Sequence, residues 1–141
     1  MLIVLDTNVL VSGLLNPNGP PGRIVDLVLS GRLRLAFDDR VLSEYAEVLA
    51  RPRLGIRTDL ARDVLAYLSY SGESVMAGPM CPELEARLPD PDDAAFMEVA
   101  LTSGAAALVT GNIAHFADAS ARCGLTLLTP REFLTWWAAQ G

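Results

Sequence analysis

The chain opens on an unbroken apolar run, Leu2–Leu5, that ends abruptly on a carboxylate, Asp6. An apolar run without polar alternation marks a strand buried on both faces. A strand covered twice belongs inside a parallel sheet, where crossover helices supply both covers. Asp6 therefore stands where the first strand leaves the core. Burying its charge alone would cost roughly several kcal/mol, so Asp6 must be solvated, paired with a cation or neutralised.

The same rhythm of short apolar runs and helical patterns continues along the sequence. Asp6–Leu15 is expected to form a short helix, followed by a loop at "NPNGPPG" (Asn16–Gly22) and a helix over Arg23–Ser30. A second strand is expected at Leu33–Phe37, then a helix over Arg40–Ala50 capped by Asp38 or Asp39, with Val41, Tyr45, Val48 and Leu49 inward. Thr58 should cap a helix over Asp59–Tyr70, with a short strand at Glu73–Met76 and no clear pattern over Met80–Leu88. "DPDDAAFMEVALTSG" reads as a helix with Asp90 as cap, Pro91 in the first helical position and Gly104 as the stop. Ala107–Val109 and Leu125–Leu128 complete the strands, and Pro130 opens a terminal helix through Trp136. Alternating strands and helices predict a single domain over 1–141, an α/β chain with a parallel sheet in three layers.

Composition removes several classes of function. The chain contains no lysine, which excludes a Walker A loop and Schiff-base chemistry. His115 is the sole histidine and no GxSxG elbow accompanies it. Cys81 and Cys123 stand far apart with no zinc-ligand spacing, as expected of reduced, mostly buried thiols. The apolar start lacks a basic leader and is interrupted by Asp6, so a cytoplasmic protein without a membrane span is expected. A net charge of −6 argues against a broad cationic surface for nucleic acid. Yet Arg23 to Arg62 holds eight arginines against six acids, so phosphate contacts would fall in the middle of the chain.

In a parallel sheet, ligands bind beyond the carboxyl ends of the strands. Asp6 stands at that edge; Glu44 lies one turn into the helix after the second strand. Asp92 or Asp93 begins the helix after Pro91, and Asn112 follows the fourth strand in "VTGN". Each has a plainer role available. Asp6 can cap a helix beside a turn residue, Asn8; Glu44 can be an exposed helical acid; Asp90, Asp92 and Asp93 suit a helix start; Asn112 suits a turn. Gathered in one acidic pocket, the carboxylates would repel, and a divalent cation would remove that penalty. Oxygen donors without a histidine or thiolate set favour Mg2+ or Mn2+ over zinc. Such an ion activates water and offsets charge on phosphate oxygens.

Taken in order, "LDTNVLVSGL", "SEYAEVL", "DPDDAAFMEVALTSGAAALVTGN" and the "HF" of His115 and Phe116 closely resemble the PIN-domain family, above all its small VapC-like toxins. The resemblance runs through essentially the whole chain. It implies a three-layer α/β/α fold with a central parallel sheet, a metal-dependent ribonuclease activity on RNA, and neutralisation by a cognate antitoxin. Carried over by motif, the family's acids fall on Asp6, Glu44 and Asp93, with Asn8 as the adjoining polar residue and Asp92 as rival to Asp93. The fourth position, frequently aspartate, is Asn112, which puts a tightly held second metal in doubt. Asp6 and Asp93 would bind the ion, Glu44 would complete or orient its shell, and Asn112 would hydrogen-bond a water there. A homodimer is the expected assembly. Two other accounts compete: a catalytically weak PIN module acting as a binding protein, and a phosphohydrolase with Asp6 as covalent nucleophile. The second is disfavoured by Asn8 in place of a second aspartate and by the absence of lysine.

Overall fold

The computed structural model describes residues 1–140. Five parallel strands form one sheet in the order β3-β2-β1-β4-β5, comprising β1 (Leu2–Leu5), β2 (Arg34–Phe37), β3 (Glu73–Ser74), β4 (Leu108–Val109) and β5 (Leu127–Leu128). The central strand, β1, pairs Ile3 with Leu35 of β2 and Leu5 with Val109 of β4. Ile3, Val4 and Leu5 are buried, as an apolar run in the middle of a parallel sheet requires.

The strands are joined by α1 (Thr7–Leu15), α2 (Pro20–Leu29), α3 (Asp39–Leu49), α4 (Thr58–Ser71), α5 (Pro82–Glu85), α6 (Ala94–Ser103), α7 (Ile113–Cys123) and α8 (Pro130–Gln140). Leu10, Val25, Val28, Val64 and Leu68 bring α1, α2 and α4 onto Leu5 and Leu35 in one apolar cluster. Helix α6 packs against β1, β2 and β4. Right-handed crossovers put the outward connections from β1 to β3 on one face and the return to β4 and β5 on the other. The result is the expected three-layer α/β/α sandwich.

Several boundaries differ from expectation for identifiable reasons. Pro20 and Pro21 lie inside α2, where a missing N–H is harmless in the first turn, so the loop after α1 shortens to four residues, Asn16–Gly19. Thr58 is the first residue of α4 instead of its cap, and no side chain caps that end. Asp38, not Asp39, caps α3 by accepting from the Val41 amide at 3.0 Å. Pro91–Asp93 form a 3-10 turn ahead of α6, with Asp90 accepting from the Asp92 amide at 3.0 Å. Gly104 ends α6 in the left-handed conformation, φ 68°, as its position foretold. Cys81 is exposed and Cys123 half-buried, correcting the expectation of mostly buried thiols. Cys81 precedes a one-turn helix that has no buried residue to draw it inward.

The α1–α2 junction is packed to backbone contact. A Cβ on Gly22 would lie 2.3 Å from the Pro17 carbonyl oxygen, and one on Gly13 would lie 2.5 Å from Val25 Cγ2. Gly22→Ala should therefore destabilise the fold by about 1–3 kcal/mol through overpacking against main chain. The check is a lower urea midpoint at unchanged m-value; a midpoint equal to wild type would show that the hairpin yields freely.

Candidate active site

The strand order reverses at β1, so the crevice between the carboxyl ends of β1 and β4 is the place where such sheets receive ligands. Asp6 enters that crevice directly from β1. Its amide donates to the Val109 carbonyl of β4 at 2.9 Å, and its side chain is almost wholly withdrawn from solvent. Although Asp6 occupies the N-cap position of α1, its carboxylate makes no cap hydrogen bond. Instead Thr110, fully buried just after β4, donates its hydroxyl to Asp6 Oδ2 at 2.7 Å. The same Thr110 oxygen accepts from the Asn112 amide at 2.9 Å, tying the β4 loop to the carboxylate.

Glu44, on α3, faces the same crevice, and its Oε2 accepts from the buried Thr7 hydroxyl. Asp93 closes the remaining side at the end of the 3-10 turn. Only 15% of its side chain is exposed, and its Oδ2 is buried without a hydrogen-bond partner. His115 Nδ1, the nearest cationic candidate, stands 3.6 Å from that oxygen. Asp92 is exposed and lines an adjoining groove of about 380 Å³ with Arg40, Ser43, Glu44 and Phe96. Of the two rival acids, Asp93 is the one withdrawn from solvent. Asn8 and Asn112 are exposed; Asn112 precedes α7 and its side chain makes no cap bond.

Electrostatics tie the three acids into one site. Burial raises the Asp6 carboxyl above its ordinary range, against the opposing hydrogen bond from Thr110. Burial also raises Glu44; the Thr7 hydrogen bond opposes this, and the charges of Asp6, Asp92 and Asp90 add to it. Asp93 is pushed up to about 6, first by burial and then by Asp6 and Asp90, with His115 opposing and Glu44 adding. Desolvation and like charge act in the same sense: the site disfavours its own anions.

The donor set is all oxygen, and an unpartnered, buried carboxylate oxygen is what a hard divalent cation would satisfy. Among the described residues, however, no three His, Cys, Asp or Glu side chains converge closely enough to hold an ion by themselves. Glu44 is held by Thr7. The residues thus fit an ion bound by one or two carboxylates with water filling the shell, which is the habit of magnesium.

Two features were missed in the sequence. Thr7 and Thr110 position the acids, and their signal was available in the threonines beside "LD" and in "VTGN". The second is an ion-pair cluster of two buried acids on a half-exposed arginine: Glu98 accepts from Arg40 Nη1 and from the Met80 amide, both at 2.7 Å, while Arg40 Nη2 lies 2.7 Å from Asp38. A glutamate among the apolar residues of "AAFMEVAL" was its sequence trace. The cluster fastens α3 to α6 and anchors the segment leading to α5.

The fold and this edge define a parallel α/β/α domain with an acidic pocket at the carboxyl ends of its strands. The PIN-domain family model matches residues 2–114, and the chain belongs to that family. It is 33% identical over 111 residues to the uncharacterized protein MJ1680 of Methanocaldococcus jannaschii, covering 78% of this chain and 70% of that protein. Among solved structures, a chain of VapBC2 from Rickettsia felis, bound to a DNA fragment from their promoter, is similar with a TM-score of 0.60. That likeness covers 92% of this chain and 98% of the other at 18% identity, and it speaks for the fold.

The raised acids set the pH response of the metal-free protein. A carboxyl raised from 3.8 to about 6 keeps its proton in the folded chain where the unfolded chain has released it. The stability Asp93 contributes is full below its unfolded value and disappears as pH climbs through about 6. In chelator, the unfolding free energy of wild type minus that of Asp93→Asn should therefore fall between pH 3.8 and about 6. Parallel curves for the two proteins across this window would show that Asp93 does not titrate abnormally.

Proposed function

We propose that this chain is a divalent-metal-dependent endoribonuclease, the toxin of a toxin–antitoxin pair acting in the cytoplasm. The observation that carries the reading is the gathering of Asp6, Glu44 and Asp93 from three distant parts of the chain at the sheet's switch point, with Asp93 Oδ2 buried and unpartnered. Asp6 and Asp93 would hold Mg2+ or Mn2+, with Glu44 completing or orienting the shell. When bound, the ion supplies acidity to a water nucleophile and neutralises charge gathering on the scissile phosphate. Thr110 holds the Asp6 carboxylate in one orientation, and Thr7 does the same for Glu44. Asn112, beside Thr110, is the candidate partner for a water in the shell. Family membership supports the nuclease class, and the likeness to a VapBC2 chain supports an antitoxin partner. A homodimer is part of the same proposal. No helix among the described residues is long and apolar enough to cross a membrane.

Asp6→Ala, Glu44→Ala and Asp93→Ala should each reduce RNA cleavage on the order of 100-fold or more while the protein stays folded. Asp92→Ala should retain activity. EDTA should stop cleavage and Mn2+ should restore it. Full cleavage in EDTA would overturn the mechanism, and an inactive Asp92→Ala beside an active Asp93→Ala would move the third acid by one residue. One alternative has specific support: an amide at Asn112 and the lack of a three-ligand convergence suit a PIN module that binds RNA without cutting it. Metal-dependent RNA binding without hydrolysis would select it.

A further inference from the structure

We infer that a groove between α2 and α8 binds the phosphodiester backbone of RNA beyond the point of cleavage. Two adjoining hollows of about 320 and 270 Å³ share Arg23 and Leu134. Arg32 lines the first hollow, together with Trp137 and Asp26, and Arg131 lines the second. All three arginines are exposed, and among the described residues none joins an ion pair, whereas Arg40, Arg51, Arg57, Arg87 and Arg122 do. In a chain of net charge −6, three unneutralised guanidiniums around one groove leave a local surplus of positive charge even after Asp26 is counted.

Phosphate is the anion these groups suit. A guanidinium presents a planar fork of N–H donors that meets two phosphate oxygens at once. Arg32 is steadied for that task, with Cζ 5.8 Å from the centre of the Trp137 ring, itself stacked 6.3 Å from Phe133. The topology sets the groove's direction. Arg131 lies in the first turn of α8, which leaves the carboxyl end of β5 at the same sheet edge as Asp6, while Arg32 precedes β2 at the opposite edge. From Arg131 to Trp137 the helix rises about 9 Å, so the cationic track runs down the flank of the domain from the catalytic edge. A strand lying in the acidic pocket would thus find its attraction away from the acids, and the net negative charge of the chain is no bar to an RNA substrate.

The inference rests on the nuclease reading only for the identity of the polymer, so binding is measured in EDTA, where cleavage is silent. The probe is a fluorescein-labelled, unstructured oligouridylate titrated at several salt concentrations. Replacing Arg23→Gln, Arg32→Gln and Arg131→Gln together should weaken binding on the order of 10–100-fold at low salt. The slope of log affinity against log salt should become shallower by about 2, or about 0.7 for each single change. All three side chains are exposed, and unchanged melting curves check the fold; if the triple variant melts early, the single changes carry the test. Equal affinity and slope in wild type and variants would overturn the groove. So would wild type holding a polyglutamate of matched charge as tightly as the RNA, which would mark the surface as one for an acidic protein. RNA held through the arginines by a protein that never cleaves would sink the nuclease reading and leave the groove standing.

Discussion

The hydrogen bond from Thr110 to Asp6 is the contact on which the rest of the site is arranged. It spans the junction of β1 and β4, where the strand order turns, and joins the ends of two strands more than a hundred residues apart in the chain. Because Thr110 takes one Asp6 oxygen sideways, the carboxylate is not spent on capping α1. The backbone solves the same problem from below: Asp6 and Thr110 both donate their amides into the sheet ladder, at 2.9 and 3.0 Å, before the chain turns away. A buried anion is thereby fixed in place with only partial compensation, and the missing compensation defines what the site can bind.

The remaining acids reach that point by different means. Glu44 arrives on α3, whose inner side is locked by Val41, Tyr45 and Leu49 and whose start is capped by Asp38. Tyr45 adds a hydroxyl bond to the Leu5 carbonyl, the last residue of β1, so α3 is pinned to the very strand that delivers Asp6. Asp93 arrives through the 3-10 turn ahead of α6, and α6 is held to α3 by Glu98 and Arg40. With Arg40 half exposed, the charge pair is poor evidence for stability taken alone. Its place between α3, which carries Glu44, and α6, which follows directly on the Asp93 turn, gives it a positioning consequence: it fixes one acid-bearing part of the chain against the other.

Much of this was legible in the sequence. The unbroken run at Leu2–Leu5, the Gly104 stop and the "DPDD" start are local signals whose physics does not depend on the partner, and they specify the parallel sheet. Helix α7 was not legible. Its buried residues are Phe116, Ala119 and Ser120, so the helix is amphipathic but its inner face carries one bulky residue and otherwise small or polar ones. Gly124, left-handed at φ 72°, was its one clear punctuation. The candidate acids were legible as positions, but their withdrawal from solvent was not. That the Asp93 oxygen lies unpartnered while Asp92 is exposed depends on the three-residue 3-10 turn Pro91–Asp93, and periodicity does not resolve that register.

On the proposed function, Asp6 and Asp93 are left incompletely compensated so that a divalent cation completes them. Equilibrium unfolding with increasing Mn2+ reads this without reference to catalysis. At 100 times its dissociation constant, an ion bound only by the folded chain should add about 2.7 kcal/mol to the unfolding free energy of wild type. Asp93→Asn, which keeps the shape and removes the charge, should start out more stable in chelator at neutral pH and gain much less from the metal. No Mn2+ stabilisation of wild type, or the same gain in both proteins, would contradict the claim.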